Sequence, residues 1–252
     1  MGSLISNLWN TFLYEPIYNA LIFIINDVTF GDVGLAIIIV TIIVKVILLP
    51  LTRKSVRSQV MMKKMEPELK KIKQDYPNKE EQAKKTLELY KKYGTNPFSG
   101  CLVVLLQMPV IFALYYVFYR GLVIDESLIY SFVQVPTHLS TNFLGLIELS
   151  EKSLFLGVLT GLTQFVQGYL SSPKKNKAEI IKDKTEIKDN RSDFQGQLSE
   201  SMQMNVRYIL PIFIGFIAWK ISAAVALYWT VSNIFTILQE WYVRRKLVKD
   251  VL

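Results

Sequence analysis

The sequence predicts an all-α membrane protein with five transmembrane helices, an N-terminal interfacial amphipathic helix and a cytoplasmic helical hairpin between spans one and two. Three observations predict it. Hydrophobic residues make up 51% of a chain that also carries 29 Lys+Arg, so the two kinds of residue must be segregated. The apolar residues fall in runs of membrane-spanning length. The basic residues fall between those runs, and on alternate sides: 25 of the 29 lie in 53–92, 174–207 and 244–249. By the positive-inside rule those three segments are cytoplasmic and the N-terminus is outside.

Residues 4–32 mix Trp9, Phe12, Tyr14 and Tyr18 with Asn7, Asn10, Glu15 and Asn19, interrupted by Pro16. This is the amphipathic helix, its aromatic rings suited to headgroup depth. Span one, 33–53, is VGLAIIIVTIIVKVILLPLTR, with a single charge inside it at Lys45. Residues 54–95 form the cytoplasmic hairpin: Met61, Met65, Leu69, Ile72 and Tyr76 recur at helical spacing, Pro77-Asn78 breaks the pattern, and Ala83, Leu87, Tyr90 and Gly94 resume it. The two stripes would pack face to face, and Met61, Met62 and Met65 are also a candidate soft docking surface.

Span two is 96–120, with Gln107 and Pro109 inside it. An acidic outer loop, 121–152, follows. Span three, 153–171, aligns Thr160, Thr163, Gln164, Gln167 and Ser171 at spacings of three and four, and its Gly157 and Gly161 would let a neighbouring helix approach closely. Residues 172–205 read as a flexible cytoplasmic loop. Span four, 206–220, is short; span five, 222–242, carries Trp229, Ser232, Asn233, Thr236 and Glu240 on one broad face; 243–252 is a basic cytoplasmic tail.

Lys45 is the most costly of these residues, by roughly 2.5 to 3.5 kcal/mol on insertion scales at a helix centre. Thr41, Lys45 and Thr52 share one face, so three of the five spans carry polar stripes. Such stripes interlock as interhelical hydrogen bonds, or they line a hydrated cavity. Glu240, near the inner end of span five, is the only carboxylate on a span placed to pair with Lys45. An unpaired ammonium favours the cavity, open to the cytoplasm. Two other readings stay open at this level: a channel or transporter with a continuous polar pathway, and an assembly scaffold with its stripes satisfied helix to helix.

No catalytic grouping competes. There is no GxxxxGK[ST], GxSxG, HExxH or Cys-x-x-Cys; Cys101 and His138 are each single, so no metal site, cofactor or enzymatic reaction is expected. The net charge of +8 is accounted for by the cytoplasmic segments, and no direct nucleic-acid recognition is expected.

The residues IIIVTIIVKVILLPLT, then KKMEPELKKIKQDY, then LELYKKYGTNPFSGCLVVLLQMPVIFALYYVF, and finally LPIFIGF with ALYWTVSNIFTILQ resemble the YidC family of membrane-protein insertases across nearly the whole chain. The resemblance is to a bacterial short form without a large outer domain, in the plasma membrane. It implies a hydrophilic groove open to the cytoplasm and the lipid but closed to the outside, which receives hydrophilic parts of nascent membrane proteins. It places Lys45 in that groove where relatives usually have arginine. Thr41 and Trp229 match positions implicated in contacting substrate, and Gln167, with Gln164 beside it, looks like the polar wall from span three; Ser232 and Asn233, on the polar face of span five, complete the candidate substrate-binding residues. Val103 stands where many relatives have proline. Nascent membrane proteins and the lipid bilayer are the implied partners; the ribosome and a secretion channel are further candidates.

Overall fold

The computed structural model describes residues 7, 9–95, 107, 108, 110–112, 115, 116, 124–171 and 208–249. Helix α1 (Glu15–Phe23) begins with Pro16 in its first turn, where a missing N–H removes no intrahelical bond. π-helical turns flank it, at Asn10–Tyr14 and Ile24–Val28. One face of this segment is core: Leu21, Ile22 and Ile25 are fully buried. Tyr14 and Tyr18, expected at headgroup depth, stack on each other at 5.9 Å and are buried too. Amphipathicity identifies a face that leaves water; it does not say whether lipid or protein covers it. Here the outer loop covers part of it. Asn19 Nδ2 donates to Leu128 O (2.8 Å), Tyr130 N donates to Asn19 Oδ1 (2.7 Å), and Asp125 N donates to the Tyr18 hydroxyl (2.9 Å).

The chain then reverses at Gly31, whose φ of +96° suits glycine and whose Cα faces His138 O so closely that a Cβ would lie 2.7 Å from it. Asp32 caps α2 (Val33–Ile47) by accepting from Leu35 N at 2.9 Å. Span one was expected to continue to residue 53, but α2 stops after 15 residues and α3 (Leu49–Asp75) leaves it at 64°. Pro50, in the first turn of α3, is the physical reason: it has no N–H to continue the ladder and its ring crowds the carbonyl four residues back. Among the described residues no single helix is long and apolar enough to cross a membrane, whereas the bent pair Val33–Ile47 and Leu49–Met62 is, taken together.

α3 and α4 (Lys79–Lys92) form a hairpin across Pro77-Asn78, with Asn78 capping α4 by accepting from Glu80 N at 3.0 Å. Met65 and Leu89 are buried, while Ala83 and Leu87 are exposed. The inner face of α4 is therefore rotated from the one its apolar residues suggested, so that Tyr93 meets Glu68. The Glu68 carboxylate accepts from the Tyr93 hydroxyl and from Lys92 Nζ (3.1 Å), a clasp between the two helices. Those two donors, the tyrosine first, hold the Glu68 carboxyl below its ordinary range. The clasp is thus present at neutral pH and is lost as acidification protonates Glu68 through that lowered value. Glu68→Gln is expected to lower the amide hydrogen-exchange protection factors of 79–93 at neutral pH, and acidification, once the intrinsic slowing of exchange is divided out, is expected to lower them in the wild type but not in the variant.

The outer loop departs from an all-α reading. It holds a 3-10 turn, Glu126–Leu128, and two antiparallel strands, β1 (Asn142–Phe143) and β2 (Ile147–Glu148). The loop is stapled to two helix starts: Ser140 N donates to Gly31 O and Val33 N to Ser140 O, while Ala223 N and Ala224 N donate to Glu151 O and Leu149 O. The second start belongs to α7 (Ala223–Lys249), which runs beside α2 and against α5 (Leu154–Ser171). α6 (Leu210–Lys220) lies along α5, where Gly157, Gly161 and Gly215 bring the two backbones into contact.

Candidate functional site

The site grows from the divided surface of α2. Ile42, Ile43, Val46 and Ile47 are exposed, whereas Thr41 and Lys45, one turn apart, are 1% and 7% exposed. Helical spacing puts both on the side that meets α7. The Lys45 ammonium donates to Gln107 Oε1 (3.0 Å) and Thr236 Oγ1 (3.2 Å). Gln107 Nε2 in turn donates to the Tyr228 hydroxyl, and Thr236 Oγ1 donates to Ser232 O at 2.8 Å. Lys45 therefore joins three segments of the chain through neutral acceptors.

Glu240 is not its partner. That carboxylate, buried one turn further along α7, accepts from Arg244 Nη2 at 3.1 Å. Among the described residues no carboxylate lies within ion-pairing distance of Lys45, so its charge is solvated by an amide and a hydroxyl alone. A cation held this way in a low-dielectric surround remains a strong attractor for an incoming anion.

Toward the α3 end, Gln239 Nε2 donates to Thr52 Oγ1 at 2.5 Å, extending the polar seam past the bend. On the other side of α7 the polar residues lock to α5. Thr160 is fully buried; its hydroxyl lies 2.8 Å from Leu156 O, 3.1 Å from Ala226 O and 2.9 Å from Thr230 Oγ1. Asn233 Nδ2 donates to Thr163 Oγ1 at 3.2 Å. Part of the stripe on α5 is therefore helix-to-helix adhesive.

The remainder is not. Gln164 and Gln167 are half-buried, and Gln167 Oε1 is enclosed with no hydrogen-bond partner among the described residues. An enclosed carbonyl oxygen without a donor is costly unless water or a visiting peptide supplies one. Ser232 and Asn233 are buried on α7, and Trp229 is half-buried against the apolar core. The structure thus joins Lys45 to α7 at Thr236 and joins Asn233 to α5; Gln164, Gln167 and Trp229 line the same helices without a bond to Lys45.

One expected contact is corrected. Met65 is fully buried, a core residue of the hairpin that has no surface to offer a partner; Met61 and Met62 are half-buried. Two members of the Lys45 network were not singled out from sequence, Gln107 and Tyr228. An amide within the apolar LQMP stretch was the available signal for Gln107, since it must find a partner inside the fold. Nothing in the pattern separates Tyr228 from an ordinary aromatic at an apolar position. Cys101, Val103, Pro109 and Arg120 lie outside the described residues, as does 172–205.

Helices with exposed apolar faces meet around a buried ammonium whose described partners are one amide and one hydroxyl, which defines a class: a helical protein with a polar interior. Comparison with known proteins narrows it. The chain belongs to the YidC family of membrane protein insertases; residues 24–250 match the family model described as 60Kd inner membrane protein. It is 32% identical over 241 residues to the membrane protein insertase YidC of Fusobacterium nucleatum, covering 94% of this chain and 98% of that protein. The corresponding protein of Oceanobacillus iheyensis is 32% identical over 246 residues, 96% of this chain and 85% of its own length. Membrane protein insertase MisCA of Bacillus subtilis is 29% identical over 244 residues, 94% and 79%. The fold matches a crystal structure of an active YidC insertase with its first transmembrane domain resolved, at a TM-score of 0.54 and 22% identity over 89% of this chain and 45% of that one. Members of the family are multi-pass membrane proteins and are not enzymes.

Proposed function

We propose that this insertase receives the hydrophilic end of a nascent membrane protein in a wet pocket around Lys45 and releases the apolar segment sideways into the bilayer. The chain would cross the membrane five times, with its N-terminus outside and the hairpin of α3 and α4 in the cytoplasm. Support comes from one observation above the rest: a lysine 7% exposed whose described partners are all neutral. Among the described residues no carboxylate compensates its positive charge, which leaves it available to a substrate carboxylate.

The steps need no nucleotide. A short polar, often acidic, terminus approaches the basic hairpin, where Met61 and Met62 offer a compliant surface. It then enters between α2, α5 and α7. Lys45 and pocket water lower the cost of its partial crossing, Gln164 and Gln167 exchange hydrogen bonds with its backbone, and Thr41, Ser232 and Asn233 line its path. Trp229, at the apolar edge of α7, meets the following hydrophobic segment. Each Leu, Ile, Phe or Val that leaves for the bilayer gains roughly 0.3 to 0.6 kcal/mol on the biological scale, so about ten of them supply several kcal/mol. That partition drives the step.

A photo-crosslinker placed at position 229 tests the reading. It is expected to capture a ribosome-stalled single-span substrate when the substrate's apolar segment has just emerged, and to lose it once the segment is long enough to leave. Capture that is independent of chain length would contradict the proposal.

A further inference from the structure

The β1–β2 hairpin has a tip that its own folding does not favour. Leu144 and Gly145 have φ of +55° and +69°, and Leu146 N donates to Phe143 O at 3.1 Å, closing a turn with two left-handed central residues. Such turns select Asn, Asp or Gly, because a side chain on a left-handed backbone crowds the next carbonyl. Leucine is the unfavourable occupant. Burial does not compensate, for Leu144 is 67% exposed and Leu146 84%. A strained, exposed, apolar tip implies a partner outside the chain.

Its position identifies the partner. Ser140 is bonded at the very start of α2, to Gly31 and Val33. Three residues later the Phe143 ring covers Gly34 so tightly that a Cβ there would lie 2.1 Å from it. β1 therefore packs on the first turn of α2. Leu35, exposed on that turn, opens the apolar surface that continues through Ile42, Ile43, Val46 and Ile47. In a membrane protein that surface faces acyl chains, and the hairpin is anchored at the helix end where it begins. The other end of the hairpin is polar. Asn142 pairs with Glu148, whose carboxyl accepts from Ser150 Oγ at 2.8 Å and is held below its ordinary range by the Thr141 and Ser150 hydroxyls.

We propose that Leu144 and Leu146 are a membrane wedge: the hairpin tip inserts into the headgroup–acyl boundary at the N-terminal end of α2 and pins the outer loop to the bilayer. The occupant of the tip is lipid. The proposal rests on α2 crossing the membrane, and its test reports on that separately.

With Cys101 replaced by serine, a single cysteine at 146 or, as reference, at 43 carries an environment-sensitive fluorophore in the purified full-length protein, reconstituted alone into phosphatidylcholine vesicles. Both labels are expected to emit to the blue and to be quenched by nitroxide on the lipid acyl chain more than by aqueous iodide. Adding Leu144→Asn, which suits the turn and so preserves the hairpin, is expected to shift the 146 label to the red and leave the 43 label unchanged. Acyl quenching at 43 with only aqueous quenching at 146 would overturn the wedge. Aqueous quenching at both would overturn the spanning reading of α2, and the wedge with it.

Discussion

Lys45→Ala is expected to reduce insertion of a single-span substrate with an acidic terminus by roughly tenfold, while Lys45→Arg retains most activity. Bringing one carboxylate to mid-membrane costs roughly 2.5 to 3.5 kcal/mol on insertion scales, and recovering about half of that through a cation corresponds to about a factor of ten in rate. The ammonium is placed for this role because Gln107 and Thr236 solvate it without neutralising it. Alanine removes the attraction and leaves both neighbours with other partners, Tyr228 and the Ser232 carbonyl, so the fold is not left with an orphaned charge. Arginine keeps the charge and spreads it over a planar fork, which changes the geometry of pairing more than its strength. A substrate with an uncharged terminus is expected to be affected much less by alanine. Insertion into proteoliposomes, scored by protease protection for the two substrates and three proteins, reads all of this.

Gly157→Leu is expected to lower stability more than any single change within the polar seam. A Cβ at Gly157 would lie 2.7 Å from Trp219 Cβ and 3.0 Å from the Trp219 backbone, so even alanine forces α5 and α6 apart, and leucine forces them further. Overpacking of this kind costs about 1 to 3 kcal/mol or more, because backbone cannot yield as a flexible side chain does. The lost contact is also the main adhesive available, since in lipid there is no hydrophobic drive to hold two apolar helices together. Thermal unfolding in detergent is expected to show a lower midpoint for Gly157→Ala and a larger drop for Gly157→Leu, whereas Val158→Leu, at an exposed position, is expected to leave it nearly unchanged.

The helical membrane character of the chain was legible because apolar runs and basic segments alternate, and the family because several motifs occur in order. Gly157 and Gly161 announced a close approach through their spacing alone. What escaped the sequence did so for physical reasons. The bend after Ile47 comes from one proline, which does not interrupt the hydropathy of the run around it. Tyr18 and Asn19 are held by a loop more than a hundred residues away, which no local period encodes. β1 and β2 are two residues each, too short to show an alternation. In α4 the apolar residues Ala83 and Leu87 suggested one face, but the long-range Tyr93–Glu68 bond helps select another. At the site, Lys45 stood out because charge is rare in such a run; Gln107 was marked only as an amide inside an apolar run, and the buried Tyr228 is recognisable only once three segments converge. Glu240, the one carboxylate on a span placed to reach Lys45, is instead bonded to Arg244, a residue one helical turn away on the same face.

The central claim is that polar residues on α2, α5 and α7 surround a pocket that water enters from the cytoplasmic side only. Cysteine at position 167, in place of the glutamine whose enclosed carbonyl oxygen has no partner among the described residues, measures it most directly. In sealed membrane vesicles of either orientation, with Cys101 replaced by serine, a membrane-impermeant maleimide is expected to modify that cysteine when the cytoplasmic face is exposed and to leave it intact when the outer face is exposed. Modification from the outer face, or from neither, would contradict the account.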